Sequence, residues 1–112
     1  MLIYHMCQRA EWDAAVRAGT YTGSSQDRAD GFIHFSTAAT VVESAAKHRA
    51  GQAGLVLIAA EAERLGPALK WEKSRGDMLF PHLYSALQTG HVKWVRDLPL
   101  GVDGRHIFPP LD

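Results

Sequence analysis

The sequence predicts a small α+β protein, and two observations carry that prediction. Through the first 61 residues the apolar pattern follows the order strand, helix, strand, helix, strand, and several short strands follow. Two helices therefore fall in the N-terminal half and the second half is richer in sheet, which is typical of the α+β class. We expect a single domain over residues 1–112, built on a split β-sheet with mixed or antiparallel pairing.

The composition favours a soluble cytoplasmic protein that acts on a small ligand. Apolar residues make up 46% of the chain, charged residues 21%, and the formal net charge is zero. Without a basic run, an extended nucleic acid or a membrane surface is a poor partner. The lone Cys7 excludes an intramolecular disulfide and favours a reducing compartment. No apolar stretch is long enough to span a bilayer, and we expect no targeting leader.

The first elements follow from short apolar runs and helical spacing. The apolar run at 2–6 predicts a buried strand that opens the domain. Trp12, Ala15 and Val16 recur at helical spacing, and Gly19 is suited to end that helix. The polar segment 20–30 predicts a loop able to cover a site.

The middle of the chain predicts a strand, a helix and a central strand. Residues 31–35 form the second predicted strand, and Ser36 or Thr37 would cap a helix over 38–51. The continuous apolar run at 54–61 predicts the most buried strand of the sheet. Further strands are predicted at 69–74, between two glycine turns, and at 91–100.

Histidines are the first candidate functional residues. His5 lies in the first predicted strand, and His34 shares a face of the second strand with Ser36. His48 lies on a largely apolar helical stripe, and His82 follows a proline. Any one of them can be an ordinary packed imidazole. Two strand histidines from adjacent elements would instead converge in a cleft, and we expect His5 and His34 to share one.

The segment 71–84 is the second candidate region. Glu72 and Ser74 share a strand face, where Glu72 would be a general base or bind a hydroxyl group. Arg75 would bind an anion. The alternative is a solvated edge strand, with the aromatic residues of the segment in the core.

Recognised catalytic motifs are missing from the sequence. It contains no GxGxxG, GxxxxGK[ST], HExxH or GxSxG pattern. A metal site on His5, His34 and His82 stays open as an alternative, but no pair of histidines has the i, i+4 spacing of a helical metal site. We therefore predict no metal.

Two long stretches resemble a known family. "DGFIHFST" and "LKWEKSRGDMLFPHLY", with "IYHM" at the start of the chain, are similar to the proteins grouped as domain of unknown function 952. The resemblance runs from Ile3 to about Pro109. That family is similar to the ADP-ribosyltransferase-like superfamily, which implies a compact split sheet around an NAD-binding cleft.

The resemblance implies roles for particular residues. His5 would hold the ribose of NAD, His34 with Ser36 would line the nicotinamide side, and Glu72 would polarise a ribose hydroxyl. "GFIHFS" also resembles a strand of RNA 2′-phosphotransferases. Arg75 is the one obvious counterpart of their additional arginines, so RNA 2′-phosphate chemistry is not supported.

The resulting hypothesis is a protein that binds NAD or a related ADP-ribosyl nucleotide in a histidine-lined cleft, with transfer or hydrolysis of a glycosidic bond. The predicted catalytic residues are His5, His34 and Glu72. The predicted ligand-binding residues are Tyr4, Ser36, Thr37, His48, Trp71, Ser74, Arg75, Phe80, His82 and Tyr84. The alternatives are a binding or interaction module without catalysis, a metal-assisted hydrolase on a histidine cluster, and histidines with a purely structural role.

Overall fold

The computed structural model describes residues 1–74 and 76–111, and within them three α-helices pack on antiparallel sheets. The helices are α1 (Arg9–Ala18), α2 (Ser25–Asp30) and α3 (Val41–His48). The strands are β1 (Leu2–Gln8), β2 (Thr20–Tyr21), β3 (Ile33–His34), β4 (Ser36–Thr37), β5 (Leu55–Glu61), β6 (Leu69–Lys73), β7 (Leu79–Leu83), β8 (Leu87–Gln88) and β9 (Val92–Leu98). Short 3₁₀ turns cover Ala62–Arg64, Gly66–Ala68 and Thr89–His91. The α+β class is confirmed.

The strands form three sheets in which every named pair is antiparallel, so the mixed pairing allowed by the sequence does not occur among them. The largest sheet has the order β4-β1-β5-β9, a second joins β2 to β8, and the third has the order β3-β7-β6. Strand β5 lies inside the first sheet and pairs with β1 along its whole length. Both of its faces are covered, which explains its unbroken apolar sequence.

Helix α1 forms as the spacing predicts. Its N-terminus is closed by a capping box in which Gln8 and Glu11 bond reciprocally to backbone groups, and it ends at Gly19. Gly19 adopts φ 87°, a left-handed conformation that glycine reaches without strain. Trp12 and Ala15 are buried as expected, whereas Val16 is 53% exposed.

The single strand predicted over residues 31–35 is wrong, because the chain changes sheets there. His34 pairs with His82 of β7, whereas Ser36 pairs with Tyr4 of β1. Between them the N–H of Phe35 donates to the carbonyl of Pro81 at 3.0 Å, which keeps the crossing backbone paired. The crossing therefore brings the β7 sheet next to the β1 sheet at His34.

The segment 20–30, predicted as a loop, contains β2 and the short helix α2. Ser24 and Asp27 form a capping box: the Ser24 hydroxyl accepts from the Asp27 N–H, and the Asp27 carboxylate accepts from the Ser24 N–H. Gly23 precedes the cap at φ 100°, and a Cβ there would lie 2.6 Å from the Cβ of Asp27. Glycine is thus required where the backbone passes over Asp27.

Helix α3 begins later than predicted and has a different cap. Neither Ser36 nor Thr37 caps it, since both lie in β4 and the N-cap residue is Thr40. The Thr40 hydroxyl accepts from the N–H of Thr37 at 3.0 Å, while Ser36 is hydrogen-bonded to the hydroxyl of Ser44. The two predicted capping residues therefore fasten β4 to α3 rather than start the helix.

The apolar core lies on both faces of the β1–β5 pair. One cluster contains Ile3, Cys7 and Ile58, and the other contains Tyr4, Met6 and Leu57, as the alternation of side chains along a strand requires. His5 lies on the first of these faces and is 3% exposed. No helix among the described residues has the length and apolarity needed to cross a membrane.

Candidate functional site

Asp27 is the centre of a buried polar cluster beside β1 and β3. Its side chain is 3% exposed and accepts hydrogen bonds from the backbone N–H groups of Ser24 (2.8 Å) and His34 (3.1 Å). Burial by itself raises the pKa of this carboxyl, but the hydrogen bonds from the His34 ring and from the backbone N–H groups of Ser24 and His34 outweigh it. The pKa of Asp27 is therefore held well below its ordinary value, and the group is a carboxylate.

The ring of His34 lies between two carboxylates. Its Nδ1 is 2.5 Å from Oδ1 of Asp27, and its Nε2 is 3.1 Å from Oδ2 of Asp30. The His34 side chain is 38% exposed and that of Asp30 39%, so this second contact is open to solvent. One side of the ring is thus fixed in the interior, and the other can be reached by a ligand.

His5 is enclosed by the protein on both ring nitrogens. Its Nδ1 donates to the backbone carbonyl of His34 at 2.6 Å, which places the proton on Nδ1 because a carbonyl oxygen only accepts. Its Nε2 is 2.7 Å from the hydroxyl of Tyr21, which donates to it. Burial lowers the pKa of His5, so the ring stays neutral. His5 therefore fixes the position of β3 with no ring nitrogen left for a ligand.

The low pKa of His5 predicts that the protein loses stability in mild acid. An unfolded His5 takes up a proton below its ordinary pKa of 6.5 while the folded ring stays neutral, so the free energy of unfolding falls as pH decreases through that value. The slope from this group is at most about 1.4 kcal/mol per pH unit. Below the ordinary Asp pKa of 3.8, the depressed pKa of Asp27 adds a further loss of the same sign.

Urea unfolding of the wild type and of His5→Gln at neutral pH and at about pH 5 measures this effect. Glutamine can keep both hydrogen bonds but does not titrate. We therefore expect the free energy of unfolding to fall less steeply with decreasing pH in the variant than in the wild type. His91→Gln is the matched control, because His91 is exposed and lies away from this cluster. An identical pH dependence in wild type and His5→Gln would contradict the assignment.

A second carboxylate–imidazole pair lies on the adjacent strands β6 and β7. Nδ1 of His82 is 2.8 Å from Oε1 of Glu72, and the hydroxyl of Tyr84 donates to the same oxygen at 2.6 Å. The hydrogen bonds from Tyr84 and then His82 lower the pKa of Glu72. His82 is 7% exposed, and its ring stacks on Phe32 with centroids 4.1 Å apart.

The two pairs meet because His34 and His82 are register partners on β3 and β7. Their ring centroids are 5.6 Å apart in an edge-on arrangement. Phe32 contacts both rings, at 4.5 Å from His34 and 4.1 Å from His82. Two imidazoles, each with Nδ1 at a carboxylate, are thus held side by side on rigid strands.

A cavity of about 820 Å³ opens beside these rings. Its wall comes from β1, from α2, from the β3–β4 crossing, from the end of α3, and from the β6–β7 hairpin. Arg49 contributes a guanidinium group, which donates to the carbonyl of Met6 at 3.1 Å and to Gln52 at 3.3 Å. Its remaining N–H groups can bind an anion.

Eight of the predicted site residues line this cavity. They are Tyr4, His5, His34, Ser36, His48, Ser74, Phe80 and His82. They come from six separate elements and loops, namely β1, β3, β4, α3, the turn after β6, and β7, and folding brings them together. The volume falls within the range of small-molecule and cofactor sites.

Four other predicted residues lie elsewhere, and one lies outside the described residues. Thr37 is bonded to Thr40 at the start of α3, and Trp71 lines a separate, shallow depression near Met1. Glu72 and Tyr84 are not part of the cavity wall and act on it through His82. Arg75, the predicted anion-binding residue, belongs to the part of the chain that the structure does not describe.

Sequence reasoning missed Asp27, Tyr21 and Arg49. The spacing Ser24-x-x-Asp27 is a helix-capping signal, and it would have identified α2 and the buried carboxylate together. No local sequence signal indicates that Tyr21 contacts His5 or that Arg49 lines the cavity, because those contacts join distant elements.

The described residues give no support for the histidine-cluster metal hydrolase. Residues 1–74 and 76–111 contain no group of three or more His, Cys, Asp or Glu side chains arranged to hold a metal ion. His5 is directed at a carbonyl and a hydroxyl, and His34 and His82 each have Nδ1 at a carboxylate. His5 therefore has no ring nitrogen left for a metal ion.

The fold and the site define a small α+β protein with a histidine- and carboxylate-lined cavity. The chain belongs to the DUF952 family, described as proteins of unknown function, whose family model matches residues 6–95. No curated protein sequence matches the chain.

Two solved structures of protein CC0527 from Caulobacter crescentus, a structural-genomics target, are similar to this one. The crystal structure has 52% sequence identity and a TM-score of 0.92, and the match covers 96% of this chain and 94% of that one. The solution NMR structure has 54% identity and a TM-score of 0.84, with coverage of 93% and 90%. The similarity extends to the whole arrangement of helices and sheets described above.

Proposed function

We propose that the cavity binds NAD or a related ADP-ribosyl nucleotide. The observation that carries the proposal is one cavity of about 820 Å³ that gathers aromatic rings, hydroxyl groups, four imidazoles and a guanidinium, together with three carboxylates. A dinucleotide needs each of these chemistries: apolar surface for its rings, polar groups for ribose, and positive charge for the diphosphate. The resemblance of "GFIHFS" to a strand of the RNA 2′-phosphotransferases, which belong to the ADP-ribosyltransferase-like superfamily, supports the same ligand class.

The residues divide by chemistry along the wall. Arg49, at the end of α3, supplies a permanent positive charge for a phosphate group. Ser36 and Ser74 supply hydroxyl groups, and the buried ring of Phe80 supplies an apolar surface. We assign the ribose to the imidazoles of His34 and His82, which both line the cavity.

The roles of the predicted catalytic residues change in this proposal. His5 supports β3 from behind, since both of its nitrogens are engaged by His34 and Tyr21. Glu72 is a positioning residue that holds His82. His34 and His82 are the imidazoles that face the ligand, and Asp27 holds His34 as Glu72 holds His82.

Amide NMR titration with NAD and with ADP-ribose tests the proposal. We expect chemical-shift changes at His34, His82 and Arg49 at millimolar ligand or below. Arg49→Gln should weaken binding by roughly ten-fold or more, the usual cost of losing a charged hydrogen bond. Lys47→Gln is the matched control, because it removes the same charge from the same helix at a residue outside the cavity wall.

No shift at these residues with either ligand would overturn the proposal. Chemical-shift changes confined to surface residues would overturn the assignment of Arg49 to the phosphate groups. Equal ligand affinities of Arg49→Gln and Lys47→Gln would overturn that assignment too. Unchanged binding in Glu72→Gln is expected, because Glu72 lies outside the cavity wall.

A further inference from the structure

His34 and His82 present complementary groups to the cavity. Register pairing places them opposite one another on β3 and β7, with centroids 5.6 Å apart. Each ring has Nδ1 at a carboxylate oxygen, so in each the nitrogen available for chemistry is Nε2. The surroundings of the two Nε2 atoms differ, and that difference assigns their roles.

His82 has the arrangement of a proton acceptor. Because Glu72 accepts from Nδ1 at 2.8 Å, the proton of the neutral ring is on Nδ1 and the lone pair is on Nε2. This Nε2 has no hydrogen-bond partner among residues 1–74 and 76–111. A carboxylate that fixes the tautomer from behind and leaves Nε2 unprotonated is the arrangement of an oriented general base.

His34 has the arrangement of a proton donor. Its Nδ1 is hydrogen-bonded to Oδ1 of Asp27 (2.5 Å), and its Nε2 lies 3.1 Å from Oδ2 of Asp30, so a proton carried on Nε2 faces a negative charge. Asp27 is buried, whereas Asp30 is 39% exposed. A ligand can therefore displace Asp30 and accept a hydrogen bond from Nε2 of His34.

We propose that His82 and His34 act as general base and general acid in hydrolysis of the bond between a ribosyl C1 and an oxygen leaving group. This rests on the proposed function, because the substrate is an ADP-ribosyl O-glycoside. A water molecule gives one proton to Nε2 of His82, and its oxygen forms a bond to C1. The bond from C1 to the leaving oxygen breaks, and that oxygen takes a proton from Nε2 of His34 as the alcohol departs.

The steps balance without any further reactant. One water is consumed, ADP-ribose and an alcohol are released, and the proton gained by His82 returns to His34 through solvent. No oxidant or reductant takes part.

Charge around the pair favours this bond over a phosphodiester. Asp27, Asp30 and Glu72 each contact one of the two imidazoles. Their negative potential stabilises the positive charge that develops on a ribosyl carbon as a glycosidic bond breaks. The same potential would oppose the additional negative charge of a phosphoryl transition state.

Two substrates separate the roles of the histidines. The methyl glycoside of ADP-ribose has a leaving group that needs a proton, whereas the 4-nitrophenyl glycoside departs as a stable anion. His82→Asn should slow hydrolysis of both by on the order of a hundred-fold or more. His34→Asn should slow the methyl glycoside to the same extent and leave the 4-nitrophenyl glycoside within a few-fold. The exposed His91→Asn serves as control.

A second measurement requires no turnover. Long-range ¹⁵N–¹H NMR of the wild type should show His82 protonated on Nδ1 with Nε2 bare. Glu72→Gln keeps an acceptor oxygen and should retain that tautomer, whereas Glu72→Ala should lose it. Glu72 is partly exposed, so both variants are expected to fold.

Each outcome bears on one proposal. If ADP-ribose binds but the wild type does not hydrolyse either glycoside, the acid–base inference is overturned and the binding proposal stands. Equal loss on both substrates in His34→Asn overturns the role of His34, and an Nε2-protonated His82 overturns its role as base. If ADP-ribose does not bind, the proposed function fails and the substrate class fails with it.

Discussion

Replacing Asp27 by alanine is expected to lower the free energy of unfolding by about 3 to 5 kcal/mol. The carboxylate accepts from two backbone N–H groups and from the His34 ring, and it lies 3.5 Å from Nε2 of His5. Removing it leaves the N–H groups of Ser24 and His34 unpaired in the interior, and each such buried donor costs about 1 to 3 kcal/mol. It also removes the group that closes the cap of α2.

Urea unfolding at neutral pH measures the loss, and Asp30→Ala is the matched control. Asp30 lies on the same helix and contacts the same imidazole, but its side chain is 39% exposed. We expect Asp30→Ala to lower the free energy of unfolding by less than about 1 kcal/mol, as for other solvent-screened ion pairs. Comparable losses of unfolding free energy in Asp27→Ala and Asp30→Ala would contradict the prediction, because burial of Asp27 would then add no stability.

Replacing Phe35 by alanine is expected to destabilise the protein by about 3 to 5 kcal/mol. Phe35 is 2% exposed, packs in the core cluster shared by β1 and β5, and has its ring 5.6 Å from that of His5. The position lies at the point where the chain passes between two sheets, and its N–H donates to Pro81. A cavity there would loosen the contact between the sheets and the placement of His34.

Thermal or urea unfolding of Phe35→Ala and Phe35→Leu separates lost volume from lost aromatic shape. Leucine keeps most of the buried area, so we expect a cost below about 1.5 kcal/mol. ADP-ribose titration of the leucine variant should match wild type. A loss in Phe35→Ala no larger than in Phe35→Leu would contradict the assigned packing role.

The geometry of the site depends on strand pairing more than on any one candidate catalytic residue. His34 and His82 are 48 positions apart in sequence, and they meet because β3 and β7 pair at those two residues. Asp27 and Glu72 then fix the rings from separate elements, α2 and β6. Side chains held on paired strands keep a geometry that a flexible loop would lose.

Local patterns were sufficient for the elements that are defined by nearby residues. The helix ending at Gly19 and the buried strand over 54–61 were both predictable, because capping chemistry and continuous apolarity act within a few residues. The segment 31–35 was not, because alternation of side chains does not show that a strand leaves one sheet and enters another.

The sequence by itself determined the α+β class, the buried β5, and the identity of the histidines and of Glu72 as unusual groups for their surroundings. Tertiary structure decided what those groups do. It enclosed His5 between a carbonyl and Tyr21, brought His82 beside His34, and placed Glu72 behind His82 rather than in the cavity wall. The physical reason is that the partner of each ring comes from another part of the chain, so hydrogen bonding and burial assign its role only after folding.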